Sequence, residues 1–173
     1  NAPSYSQEKL NSAFSALRTK MVDPAQIKDV SGILLEAGVR LVVVESLPSA
    51  KIDGVCLWLN ESQPVIGLSA RFDRIDNFWF VLRHELEHVL SGDGKTEEFV
   101  HVDADLVGKN AGDDPSLPEC EIHANKAAAN FCVNAQWMDS FISENNPYFS
   151  DRKVVEFASA INVHPGIVVG QLQ

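Results

Sequence analysis

His84-Glu85-Leu86-Glu87-His88 is the stretch on which the reading of this chain turns. It lies within Asp76 to Leu90, where apolar residues recur at helical spacing. At about 100° per residue, positions four apart stand only about 40° apart and one turn along the axis. His84 and His88 therefore offer two imidazoles on one side, a spacing that suits a single tetrahedral zinc, with a water-polarising carboxylate beside them. Phe78, Trp79, Leu82, Leu86, Val89 and Leu90 fall on the opposite arc, which predicts a helix that packs by one side and presents its histidines on the other. Glu85 and Glu87 flank the pair at about 80° to either side, so spacing does not choose the base. Glu87 has an i,i+4 ion pair with Arg83 open to it, and the H-E-x-x-H pattern gives the base to Glu85.

Catalytic zinc sites commonly have three protein ligands and one open position. Downstream candidates for the third are Asp93, Glu97, Glu98, His101, Asp103, Asp105, Glu119, Glu121 and His123. A helix expected over about Glu119–Val133 separates the last three. Glu119, His123, Lys126 and Asn130 share a polar face that reads as solvated, whereas Glu121, Asn125, Ala128 and Cys132 share a small, partly apolar face suited to helix packing. A carboxylate on such a face needs a cation or hydrogen bonds to offset its burial. Glu121 is the preferred third ligand and His123 the second choice. Cys132 shares the face but stands about three turns beyond Glu121, too far to hold the same ion.

The segments Phe78-Trp79-Phe80-Val81-Leu82-Arg83-His84-Glu85-Leu86-Glu87-His88-Val89-Leu90 and Glu121-Ile122-His123-Ala124-Asn125-Lys126-Ala127-Ala128 resemble the ImmA/IrrE family of zinc metallopeptidases. Gly38-Val39-Arg40-Leu41-Val42-Val43 and Ile66-Gly67-Leu68-Ser69 are similar to its strands. The resemblance implies an α+β, zincin-like domain that binds Zn2+ through His84, His88 and Glu121, with Glu85 acting on water at the metal. The chain departs from it at Arg83 and Glu87, where that family commonly carries Ala and Gly. The tail from Val163 to Gln173 is similar to the end of HigA-type antitoxins, in which such a domain follows a helix-turn-helix DNA-binding domain. A protein substrate, or a toxin or repressor partner, is then expected, as is a homodimer of the full-length protein. A metal-stabilised sensing or interaction domain without proteolysis is the alternative.

Outward from the motif, the chain reads as helices around a small, mainly antiparallel sheet. Leu10, Phe14, Leu17 and Met21 mark a first helix, and Asp23-Pro24 opens a second that ends at Gly38. Val39–Glu45, Val55–Leu59 and Val65–Leu68 read as strands, the last two as a hairpin with Pro64 starting its strand. A Gly- and Asp-rich passage from Gly92 to Asp114 has one apolar patch around Phe99–Val102, and later helices are expected over Asp151–Ile161 and Pro165–Leu172. His164 reads as a cap for the last of these, with Pro165 at its first position. Tyr148, His101 and His123 are candidates to steady an oxyanion, without a spacing argument for any of them.

Asn1-Ala2 reads as the scar of a cleaved purification tag, leaving residues 3–173 as a single domain expected to belong to a longer protein. Asp and Glu outnumber Lys and Arg by 24 to 14, a net charge of −10 that argues against direct nucleic-acid binding by this chain. Cys56, Cys120 and Cys132 form no C-x-x-C pair and suit reduced thiols in a cytoplasmic protein. No apolar run approaches the roughly 20 residues of a bilayer span.

Overall fold

A computed structural model describes residues 3–45, 52–69, 72–95, 101–104 (as backbone) and 117–173. Helix α1, Gln7–Arg18, starts where the Ser6 side chain accepts from Lys9 N and buries Leu10, Ala13 and Leu17 on one face. Met21 falls past its end but remains fully buried in the core. The second helix is half corrected. Asp23 does accept from Ala25 N at 2.9 Å and Pro24 does open the segment, but Pro24–Asp29 winds as a 3₁₀ helix before the regular α2, Val30–Glu36. None of those six residues is fully buried and only Ile27 packs partly against the core, so little packing favours a regular α-helix there.

The strands are β1, Arg40–Val44, β2, Ile52–Trp58, β3, Pro64–Ser69, and β4, His101–Ala104. Their order is β1-β3-β2-β4, with β1 parallel to β3 and both other pairs antiparallel. The expected hairpin is present. Leu59 N donates to Gln63 O at 3.0 Å across its turn, and Pro64, opposite Trp58, begins the strand where its missing N–H is tolerated. β4 is a strand to which the sequence analysis gave no assignment. It pairs with β2 through an irregularity between Ile52 and Gly54.

Helix α3, Ile75–Ser91, lies on β2 and β3 by one side and meets α4, Glu119–Cys132, and α7, Pro165–Gln171, by the others. Its apolar arc is therefore wider than predicted. His84, Glu85, Glu87 and His88 are buried together with Trp79, Leu82, Leu86 and Val89, because a second helix covers the histidine side. The α4 faces divide as expected: Glu121, Ala128 and Cys132 are buried, and Ala124 with them, while Glu119, His123, Lys126 and Asn130 are exposed. Between α4 and α6, Asp151–Ala160, lies a helix the sequence analysis omitted, α5, Ala135–Asn145. Asn134 caps it by accepting from Gln136 N and Trp137 N, and Phe141 stacks on Phe157 of α6 at 4.4 Å between ring centroids. His164 caps α7 through Nδ1, which accepts from Gly166 N at 3.0 Å. The observed molecule is α+β, with a small, mainly antiparallel sheet under a layer of helices. Among the described residues no helix is long and apolar enough to cross a membrane.

Close approach of α3 and α4 depends on the two buried alanines. Ala128→Leu should lower stability by about 1–3 kcal/mol through overpacking, whereas Lys126→Ala on the exposed face should stay within about 0.5 kcal/mol. Thermal denaturation of the two variants beside the parent checks this.

Candidate metal centre

His84 and His88 occupy consecutive turns of α3 and turn their Nε2 atoms toward each other, 3.0 Å apart. Glu121, in the first turn of α4, completes the triangle: Oε2 lies 3.1 Å from His84 Nε2 and Oε1 lies 3.4 Å from His88 Nε2. All three are buried. Donor atoms of a tetrahedral zinc, each about 2.0–2.1 Å from the ion, stand about 3.3 Å from one another. The three spacings thus fit a shared ion.

The outward nitrogens explain why the inward ones converge. His84 Nδ1 faces Asn125 Oδ1 at 3.0 Å, and His88 Nδ1 faces Asp93 Oδ2 at 2.9 Å. Both partners accept, so each Nδ1 carries a proton and Nε2 is the nitrogen left to face a metal. Two imidazole nitrogens and a carboxylate thus converge on one spot, a donor set that suits a cation.

Asp93 is brought to His88 by the way α3 ends. Gly92 adopts φ 78°, and its left-handed turn lets Asp93 N donate to His88 O at 2.9 Å. The carboxylate consequently folds back over the last turn. Asn125 stands one turn beyond Glu121 on the same α4 face. The sequence analysis treated Asp93 as a candidate ligand and Asn125 as part of a packing face; the structure places both behind the imidazoles.

Burial works against a charged Glu121, but hydrogen bonds with His84 and His88 outweigh it and hold the carboxyl well below the usual carboxylate range. Burial likewise works against a charged His88, and hydrogen bonds with Glu121 and Asp93 outweigh it and raise its pKa. The centre is thus built around an ionised carboxylate held by the two imidazoles.

Glu85 and Glu87 are distinguished by their surroundings. Glu87 Oε2 pairs with Arg83 Nη2 at 2.6 Å, and its Oε1 lies 3.3 Å from His123 Nδ1. Arg83 in turn sits 4.6 Å above the Phe14 ring. That pair ties α3 to α1 and α4. Glu85 is fully buried and lies against Gly54 of β2, where a Cβ would overlap Oε1 and stand 2.8 Å from Cδ. Only glycine lets the strand come so near.

The other candidates are not brought to the centre. His123 has a side chain 67% exposed, which removes it as the third ligand in this arrangement. Glu119 is exposed on the same outer face and Tyr148 is exposed too. Cys132 is buried deep in α4, where burial pushes its thiol up to about 12. Glu97, Glu98, Asp105 and the side chains of His101 and Asp103 lie outside the described residues.

A family model described as the IrrE N-terminal-like domain matches residues 36–169, a span holding α3, α4 and the whole sheet. No curated protein matches the chain.

Zinc titration of the purified chain should show about one tight site. His84→Ala or Glu121→Ala should abolish it and lower the melting temperature measured with zinc present, because metal binding is linked to folding. His123→Ala should leave occupancy unchanged. Loss of zinc in His123→Ala with full retention in Glu121→Ala would reverse the assignment of the third ligand.

Proposed function

The chain belongs to the family of IrrE N-terminal-like domains, a metallopeptidase family, and we propose that it is a zinc-dependent peptidase domain acting on a protein partner in transcriptional control. The observation that carries this reading is the convergence of His84, His88 and Glu121, with Glu85 one residue after the first ligand. Zinc in such a site supplies Lewis acidity, acidifying water and polarising a carbonyl. Glu85 is spared for proton transfer because the other three side chains already provide the ligands. Its carboxylate accepts the proton of the attacking water and returns it to the nitrogen of the leaving amine.

The partner reading rests on the tail's likeness to HigA-type antitoxins, and the net charge of −10 supports a protein rather than a nucleic acid as the target. Free thiols at Cys56, Cys120 and Cys132 support a reducing, cytoplasmic setting.

One observation favours the second reading, a metal-stabilised sensing or interaction domain. His84 and Glu85 are 0% exposed and His88 is 1% exposed, a degree of enclosure that suits a structural ion. The role of Glu85 separates the two. Glu85→Gln keeps size and removes the proton acceptor, so a peptidase should retain zinc and fold yet lose about 10²–10⁴-fold of its activity. Cleavage and regulation of the native partner in cells, followed by immunoblot, provide the measurement. An intact partner and equal regulation with both forms would establish the sensing domain instead.

A further inference from the structure

Strand β2 sends alternate side chains to opposite faces, and Gly54, Cys56 and Trp58 share the one that meets α3. Gly54 lies under Glu85. Farther along the strand the target changes: Trp58 Nε1 donates to the main-chain oxygen of Asp93 at 2.8 Å, and Cys56 Sγ lies 3.7 Å from the same oxygen. That oxygen belongs to the residue whose Oδ2 holds His88 Nδ1. The indole is itself fixed. Tyr5 meets it edge-on at 5.3 Å between centroids, and Lys95 Nζ stands 4.3 Å above its ring.

We propose that Trp58 is a positioning residue for the metal centre: its indole N–H holds the Asp93 main chain, and through the Asp93 carboxylate it fixes the orientation and tautomer of His88. The inference rests on the reading of His84, His88 and Glu121 as metal ligands. It extends the centre to a strand that no ligand motif marks. The indole is the stronger of the two donors on Asp93 O, since a thiol donates weakly. A turn that leaves α3 through Gly92 and continues into Gly94 at φ 76° has little stiffness of its own. The strand supplies it.

The test uses the whole chain and needs no substrate. Indole-¹⁵N labelling gives one signal each for Trp58, Trp79 and Trp137. Zinc loading should shift the Trp58 signal and leave that of exposed Trp137 in place. Zinc affinity is then measured by competition with a chromophoric chelator. Trp58→Phe should weaken binding about three- to tenfold, the worth of one hydrogen bond. Asp93→Ala should weaken it about 10–100-fold, and adding Trp58→Phe to Asp93→Ala should change nothing further beyond twofold. In the metal-free chain, the His88 Nδ1 proton should exchange with water faster in Trp58→Phe than in the parent. A Trp58 signal unmoved by zinc, or losses that simply multiply in the double variant, would overturn the proposal while the metal site stood. Failure of the parent chain to take up zinc would instead remove the site on which the proposal rests.

Discussion

Two imidazole nitrogens that face each other across 3.0 Å, closed off by a buried carboxylate, set the terms for the packing around them. Ionised groups out of water cost several kcal/mol each unless they are paired. The arrangement therefore persists only if α3 and α4 hold their register to within a fraction of a turn. Ala124 and Ala128 allow the approach of the two helices, and Asn125 and Asp93 orient the rings. The left-handed Gly92 brings Asp93 within reach. Each of these answers the same requirement, that three donors point at one spot.

The cluster of His84, His88 and Glu121 is legible in the sequence because it obeys local rules. His84 and His88 follow from helical period, and Glu121 follows from the contrast between the two faces of α4, which the exposures of Glu119, His123, Lys126 and Asn130 reproduce. The supporting groups were illegible for a physical reason. Gly54 and Trp58 reach the centre only through the packing of a strand on a helix far along the chain, and no periodicity within either element encodes that meeting. Asp93 lay between these cases: its nearness to His88 was visible, but its side of the ring depended on how α3 terminates.

The omissions in the fold have equally local causes. β4 holds four residues, too few for alternation to stand out, and its partner is supplied by β2. α5 has its cap in Asn134 and its apolar face in Met138, Phe141 and Ile142, a local signal that the sequence does carry. The 3₁₀ start before α2 shows the limit of capping chemistry. Asp23 and Pro24 define where winding begins, but the pitch is chosen by what the following side chains bury.

His88 and Glu121 stand at the two ends of the segment that carries β4. A metal joining them closes that segment into a loop, as a covalent cross-link would, and removes conformational freedom from the unfolded chain in the same way. Unlike a disulfide, such a clasp would open whenever the ion left, and its contribution would grow with the logarithm of free metal above the dissociation constant. With a metal bound there, the lifetime of the protein against proteases would follow the metal supply of its surroundings, independently of any reaction the centre performs.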